Sequence, residues 1–333
     1  MRIDINDVPG LEKDLIQVNK HIERLCQSDT PTMQKLMDWM LESRGKQIRP
    51  ILTLLCARLT ERKVDATETA AVIEICHTAS LIHDDIIDEA DVRRGRTSLQ
   101  KQFGKEMAVY AGDFMIFSAI ARTKLINKPW YRKMFAKLEI MCNGEVGQFD
   151  NQYNSSITEE MYLNNIIGKT SSMFEIACES GACEGKCSKS QQTAVGVFAK
   201  YFGLMFQIRD DLMDFISNTE KSTKTVHNDF WCGYYTLPAI HTFESPVYGI
   251  ELKEIAAKLK DHPRSSELDD RIAWLITQAD GYRYTYDKIM TYGELAKKQM
   301  DCFIDTAAKR KLIELVDMLM NSVSQMEIPG EDI

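Results

Sequence analysis

The sequence predicts an all-α chain. Three observations carry that expectation: alternating strand patterns are scarce, only 8 prolines punctuate 333 residues, and long segments run without Gly or Pro. From Thr67 to Asp88, TETAAVIEICHTASLIHDDIID opens on Thr67 and Glu68, residues suited to a helix start. Within it Ala71, Ile75, Thr78, Ile82 and Ile86 recur at three- and four-residue steps, the period of an amphipathic helix. Pro50 to Leu59 reads as an apolar, buried helix. Further helices are expected from Tyr110 to Leu125, Trp130 to Gln152, Thr158 to Gly181 and Lys189 to Phe215. The pattern stays helical from Glu251 to Lys260, Ser266 to Ala279, Arg283 to Ile304 and Lys309 to Ser324. Turns fall at DVRRGRTS, NKPW, CEGKCSKS and STKTVHNDFWCG. No linker rich in Pro, Gly or Ser and no repeat of solenoid length divides the chain, so one domain of many packed helices over 1–333 is expected.

Lys and Arg number 41 against 49 Asp and Glu, a formal net charge of −8. An acidic chain with no long basic stripe makes nucleic acid a poor partner. No apolar run approaches the roughly 18 residues of a transmembrane helix. The start, MRIDINDVPGLEKD, lacks a basic region followed by an apolar run, and nine cysteines are an odd number. Together these features favour reduced thiols and a cytoplasmic protein. Cys178, Cys183 and Cys187 cluster around a Gly-rich turn, SGACEGKC, without a C-x-x-C pair or a nearby histidine. They read as ordinary turn and buried thiols rather than as a metal site.

Two aspartate clusters stand out. Asp84, Asp85 and Asp88 sit in HDDIID, and Asp210, Asp211 and Asp214 sit in RDDLMD. Each has the form D-D-x-x-D near the end of a long helical segment. On a helix, i and i+4 share a face, so Asp84 and Asp88 point one way, as do Asp210 and Asp214. Like charges at that spacing destabilise a bare helix by about 0.2–0.5 kcal/mol per pair. Two such clusters within apolar stretches imply a cation that holds them. Oxygen ligands without clustered His or Cys select a hard ion, and Mg²⁺ takes one or two carboxylates with water and phosphate filling the rest. The plain alternative is a solvated acidic helix end, which the doubling of the motif makes the poorer account.

Cations lie beside these clusters. Arg93, Arg94 and Arg96 follow the first at once, Lys46 and Arg49 sit in RGKQIRP, Lys169 opens KTSSMF, and Lys224 follows the second cluster. Arginine makes planar bidentate bonds to phosphate and lysine supplies a compact charge. Any one alone reads as a surface charge. Beside metal-holding aspartates they form a diphosphate site.

These motifs, taken in order, resemble the trans-type (E-type) polyprenyl diphosphate synthase family, over almost the whole chain and most strongly from Arg44 to Pro238. RGKQIRP resembles the family's GGKRxRP, and HTASLIHDDIIDEADVRRGRTS resembles its first aspartate-rich region. AVYAGDFM, GEVGQ, GKTSSMF, FQIRDDLMDF and TLPAI follow in the family's order. The resemblance implies an isoprenoid synthase fold, many helices around a central cavity, and a homodimer. It also implies transfer of isopentenyl diphosphate onto an allylic diphosphate, assisted by Mg²⁺, with three ions when substrate is bound. Lys46, Arg49, His77 and Arg94 match the binders of isopentenyl diphosphate. Asp84, Asp85 and Asp88 match the first metal region, and Asp210, Asp211 and Asp214 the second. Arg93 and Lys224 match groups that reach the allylic diphosphate, and Lys169, Thr170 and Gln207 match positions lining the reacting centre. His83 is left structural.

The chain departs from the family at several places. Arg44 and Gln47 replace the first glycine and first arginine of GGKRxRP, and Tyr234 stands for the lysine before TLP. The family's GKPxGxDL reads TKTVHNDF, without the glycine or the proline, and the final helix ends LMNSVSQMEI without the usual late arginine. The weakened second clamp leaves room for a regulatory subunit of a heteromeric synthase. A class I terpene cyclase would have no use for Lys46, Arg49, His77 and Arg94. Cys76, Ala79 and Ser80, all small, precede the first cluster where bulky aromatics in the family stop chain growth, so a product longer than farnesyl is expected. Met115 and Phe117 are the candidates for a tunnel floor.

Overall fold

A computed structural model describes residues 3–216, 227–259 and 264–326. Among them, helices account for almost all regular structure, and the two short strands form one hairpin. In chain order come α1 (Leu11–Leu25), α2 (Pro31–Leu41), α3 (Ile48–Cys56) and α4 (Thr67–Ile87). The hairpin, β1 (Val92–Arg93) and β2 (Arg96–Thr97), leads to α5 (Leu99–Phe103), α6 (Lys105–Arg122), α7 (Tyr131–Asp150) and α8 (Glu159–Ile166). A π-helical turn, Ile167–Ser171, opens α9 (Ser172–Glu184), which is followed by α10 (Lys189–Ile216), α11 (Asn228–Trp231) and α12 (Leu237–Phe243). Then come α13 (Gly249–Lys258), α14 (Ser266–Gln278), α15 (Gly281–Gln299), a 3₁₀ turn at Met300–Cys302, and α16 (Ala307–Ser324). No helix among the described residues is long and apolar enough to cross a membrane.

The chain divides into two compact units. One holds Met1–Phe135, Met173–Gly196 and Asp301–Leu312, and the other holds Ala136–Ser172, Val197–Met300 and Ile313–Ile333.

The first unit is organised on α4, which packs against α6, α1 and α3. Its start is tied down from just outside the helix: Asp65 Oδ1 accepts from the Thr67 backbone N–H at 2.9 Å and from the Thr67 hydroxyl at 2.6 Å. That satisfies donors the first helical turn leaves without partners. Ile73, Ile75, Cys76, Ala79 and Ile82 are buried against the neighbouring helices. His77, Ser80 and Asp84 are half-exposed and Asp88 is exposed. Steps of three and four residues place those four on one face of α4. α1 presents Leu11, Leu15, Val18, Ile22 and Leu25 to the core at the same period.

In the second unit α12 packs against α15, α13 and α14. The segment Thr158 to Gly181, expected as one helix, is instead broken by the π turn between α8 and α9. The cause is close backbone approach. A Cβ on Gly168 would lie 2.8 Å from the Gly144 Cα, and one on Gly144 would lie 2.5 Å from the Lys169 backbone nitrogen. Two glycines let α7 and the turn touch backbone to backbone, and the wider turn re-aims Lys169 and Thr170 relative to a plain α-helix.

Candidate active site

In the first unit, the hairpin after α4 does the sorting of the arginines. Arg94 and Gly95, at φ 53° and 74°, form its two central residues. A two-residue turn with both φ positive matches the twist of the flanking strands. It sends Arg93 back to α4, where its Nε donates to Asp85 Oδ1 at 2.6 Å. Arg94 goes the other way, its Nη1 donating to the Ser43 carbonyl at 2.8 Å. The guanidinium lies over Gly45, where a Cβ would meet its Cζ at 2.5 Å. Gly45 is also at φ 63°, so a side chain is disfavoured there twice. Lys46, next along, is exposed.

Arg49 rises from α3 into the same region. Its Nη1 donates to His77 Nε2 at 2.7 Å, and its guanidinium stacks over the Phe174 ring at 4.6 Å. Because a guanidinium only donates, Nε2 is the accepting nitrogen and the neutral ring carries its proton on Nδ1. Burial, and then the positive charge of Arg49, Arg94 and Arg93, pushes the His77 pKa well below 6.5. His77 is therefore neutral and holds Arg49 in place. The Arg49 Nε is buried with no hydrogen-bond partner among the described residues. Beneath the arginines sits Glu74, one turn before His77 and buried, its carboxyl pushed up to about 7 by burial against the opposing pull of Arg49 and Arg94.

The second unit shows a related plan. On α10, Asp210 is exposed and Asp214 half-buried, while Asp211 points inward. Asp211 Oδ2 accepts from the Tyr162 hydroxyl at 2.6 Å, and its Oδ1 accepts from Gln207 Nε2 at 2.7 Å. Gln207 Oε1 accepts in turn from the Thr170 hydroxyl at 2.6 Å. Lys169 is gripped by α7, with Nζ 2.8 Å from Glu145 Oε2 and 2.9 Å from Gln148 Oε1. Asp210 Oδ1 accepts from Arg209 Nη1 at 2.7 Å, and Asp214 Oδ2 accepts from the Asp229 backbone N–H at 3.0 Å.

These positions narrow the expected metal ligands. Asp85 and Asp211 were expected among them, but each is the buried middle member of its cluster and is engaged inside the protein, by Arg93 and by Tyr162 with Gln207. The physical reason is helical: a residue adjacent to the first aspartate points about 100° away from the face shared by the first and third. The donor set that faces outward is Asp84 and Asp88 in one unit, Asp210 and Asp214 in the other. Among the described residues no three Asp, Glu, His or Cys side chains already converge on a metal position. Two carboxylates are what Mg²⁺ takes from a protein when phosphate and water supply its other ligands. The thiols around SGACEGKC are free, with Cys178 and Cys187 buried and Cys183 half-buried.

Lys224 lies outside the described residues, as do the first residues of TKTVHNDF. His227, standing where the family has its glycine, keeps the left-handed backbone at φ 59°. It is buried, 3.2 Å from Asp269 Oδ1, and its backbone N–H donates to the Asp214 carbonyl at 2.8 Å. Tyr234 donates its backbone N–H to Asp229 at 2.8 Å.

The product-length residues separate. Cys76, Ala79 and Met115 are buried, and Ser80 is half-exposed on the face of Asp84. Phe117 is corrected as a floor: two residues after Met115 on α6, it points to the other side and is 65% exposed. Tyr131 is instead the buried aromatic whose phenol pKa is raised by burial and by Cys76. The other groups absent from the sequence expectations are Glu74, Glu145, Gln148 and Tyr162. The GEVGQ motif and the Glu three residues before His77 were visible signals for the first three; nothing local marks Tyr162.

The chain matches the Polyprenyl synthetase family model over residues 30–271. It is similar to "Heptaprenyl diphosphate synthase component 2" of Bacillus subtilis, 30% identical over 247 residues that cover 74% of this chain and 71% of the relative. Among solved structures it is similar to a decaprenyl diphosphate synthase from Rhodobacter capsulatus, at TM-score 0.86 and 28% identity, covering 94% of this chain and 97% of that one. It is also similar to a polyprenyl synthase from Caulobacter crescentus complexed with calcium and isoprenyl diphosphate, at TM-score 0.83 and 28% identity, covering 95% and 96%.

His77 supplies a pH prediction. Its folded pKa lies below the unfolded value of 6.5, so the unfolded chain binds this proton first. Stability from neutral His77 is present above 6.5 and is lost as pH falls below it toward the lowered folded value. Glu74 and Asp211, raised to about 7 and about 6, have the opposite sign and stay in the variant. The urea midpoint of His77→Gln should therefore drop less than that of the wild type between about pH 7 and pH 5. Identical slopes would show that His77 is not held neutral.

Proposed function

Because the chain belongs to the polyprenyl synthetase family, we propose that it condenses isopentenyl diphosphate onto an allylic diphosphate, building an all-trans polyprenyl diphosphate longer than farnesyl. The observation that carries this reading is the half-buried Arg49, whose buried Nε–H has no partner among the described residues, beside Arg94 and exposed Lys46. A buried cationic donor left unmatched is unfavourable, and a diphosphate oxygen would match it. Half-exposed Asp84 and exposed Asp88, on the face of α4 that carries His77, complete a site for a metal-bound diphosphate.

In this reading Lys46, Arg49 and Arg94 bind the diphosphate of isopentenyl diphosphate, with His77 and Glu74 holding the arginines in place. Asp84 and Asp88 in one unit, and Asp210 and Asp214 in the other, would each hold Mg²⁺, which when bound neutralises charge growing on the leaving diphosphate. Lys169, fixed by Glu145 and Gln148, adds positive charge there, together with Arg93 and Lys224. The Thr170 and Gln207 oxygens stabilise the allylic cation. Holding both substrates turns a bimolecular encounter into a near-unimolecular one. The proton leaves to the departing diphosphate, since no side chain of the site is poised as its base. One synthase domain over 1–333 and a cytoplasmic location belong to the same reading.

The purified chain alone, given isopentenyl diphosphate, farnesyl diphosphate and Mg²⁺, should make product, and Asp84→Ala should lower turnover at least about a hundredfold, on the order of 3 kcal/mol. Undiminished turnover in that variant, or in EDTA, would sink the metal assignment. The relative described as a synthase component favours a second reading, a subunit that needs a partner chain. An inactive purified chain that becomes active on adding a second chain would select it. Product without any response to isopentenyl diphosphate would select a cyclase.

Product length rests on Ser80. Ala79 is fully buried, so Ala79→Phe would overpack α4 and destabilise by about 1–3 kcal/mol. Ser80 has room, and Ser80→Phe should shorten the product while the first condensation keeps its rate within a few-fold. A wild type that stops at farnesyl diphosphate under excess isopentenyl diphosphate would refute the open tunnel.

We also propose a homodimer. On α6, Tyr110 and Phe117 are exposed at 61% and 65%, and, seven residues apart, they share one helical stripe. Aromatics exposed in a stripe are an interface signature. Tyr110→Glu with Phe117→Glu should halve the sedimenting mass; an unchanged dimer would place the interface elsewhere.

A further inference from the structure

Tyr162, Asp211, Gln207 and Thr170 form one continuous hydrogen-bonded line in the second unit. The steps are Tyr162 Oη to Asp211 Oδ2 at 2.6 Å, Gln207 Nε2 to Asp211 Oδ1 at 2.7 Å, and Thr170 Oγ1 to Gln207 Oε1 at 2.6 Å. Tyr162, Asp211 and Thr170 are buried, at 4%, 7% and 7% exposure.

The chemistry of each group sets the direction of the line. Both Asp211 oxygens accept: Oδ2 takes the single proton of the Tyr162 hydroxyl, and Oδ1 faces Gln207 Nε2. Gln207 must likewise turn its amide N–H toward Asp211. Its carbonyl oxygen then faces Thr170. An amide oxygen only accepts, so Thr170 must spend its single hydroxyl proton on Gln207. The open end of the line is therefore a hydroxyl oxygen with lone pairs and no proton left to offer.

We propose that Asp211 and Tyr162 are positioning residues that fix the polarity of this line, so that Thr170 presents lone pairs, not an O–H, to the positive charge that develops on the allylic carbon. The proposal rests on the synthase reading above and deepens it. It also separates Asp211 from the metal ligands beside it. Oriented dipoles of this kind act on charge that appears in the transition state, so they change turnover more than ground-state binding. In Asp211→Asn the side chain can donate as well as accept, the Gln207 amide is no longer pinned, and the sign at Thr170 is lost. Tyr162→Phe removes one donor and leaves Asp211 held by Gln207 alone.

The test compares Asp211→Asn, Tyr162→Phe, Thr170→Val and the Asp211→Asn/Thr170→Val pair with the wild type. Turnover is measured beside two readouts that need no turnover: calorimetric binding of farnesyl thiodiphosphate, a slowly ionising analogue, and the Mg²⁺ half-saturation of that binding. In Asp211→Asn, kcat should fall about ten- to thousandfold while KM, analogue affinity and Mg²⁺ half-saturation stay within about twofold. Tyr162→Phe should show the same split at smaller size, and it carries the test if Asp211→Asn does not fold. The double variant should be no slower than Thr170→Val alone, because both act through one oxygen. Weakened Mg²⁺ or analogue binding in Asp211→Asn, or losses that multiply in the double variant, would overturn the proposal. A wild type that neither turns over nor binds the analogue would overturn the synthase reading and this proposal with it.

Discussion

The constraint on which the site depends is the angle between neighbouring residues on a helix. In D-D-x-x-D the first and third aspartates share a face, and the second is turned about 100° into the protein. A buried carboxylate without partners is costly, so each cluster needs internal donors for its middle member. α4 meets that need with Arg93, brought back by the hairpin, and α10 meets it with Tyr162 and Gln207. These partners then do more than neutralise. Arg93, once drawn to Asp85, leaves Arg94 free to turn toward Gly45 and Ser43. Gln207, once drawn to Asp211, has its amide oriented. Two repeated motifs thus impose order on the groups around them.

The opposite problem arises at Arg49 and Arg94, where positive charge is concentrated within a chain of net charge −8. Burial alone would weaken such a group: it lowers the Arg49 pKa to about 10, which still leaves it charged at neutral pH. Three neighbours make the arrangement tolerable. His77 accepts as a neutral ring, Phe174 offers its π-face, and Glu74 supplies a buried acid. None of them uses up the Arg49 Nε. The guanidinium is therefore held in position with donor capacity in reserve, a form of preorganisation for a phosphate ligand.

How much of this was legible in the sequence depended on how local the signal was. The helical period of Thr67 to Asp88 gave α4 within a residue, because apolar spacing and the cap at Asp65 and Thr67 agree. α1 and α2 escaped notice although Leu11, Leu15, Val18, Ile22 and Leu25 carry the same period, since charged residues fill the gaps between them. The π turn could not be read from propensity. It arises from the contact of Gly144 with Gly168, residues 24 apart in sequence. Tyr162 was hidden for the same reason, lying 49 residues from the carboxylate it binds. Identical-looking aspartates could be divided into outward and inward members only once their partners were placed.

His227 shows why a departure from a motif can preserve what the motif does. Left-handed backbone at a non-glycine residue is unfavourable by about 1–2 kcal/mol. Here the side chain is buried against the Phe215 ring, with centroids 5.2 Å apart, and its Nδ1 lies 3.2 Å from Asp269 Oδ1. Asp269 is held in turn by Trp231 Nε1 at 2.6 Å and by Arg264 Nε at 3.0 Å. These contacts are of a size to offset the backbone strain. The left-handed turn then lets the His227 N–H reach the Asp214 carbonyl and the Asp229 N–H reach the Asp214 carboxylate. A glycine would supply the conformation through freedom, whereas His227 supplies it through packing. The third aspartate of the second cluster is fixed in place by the very segment whose sequence had looked weakest.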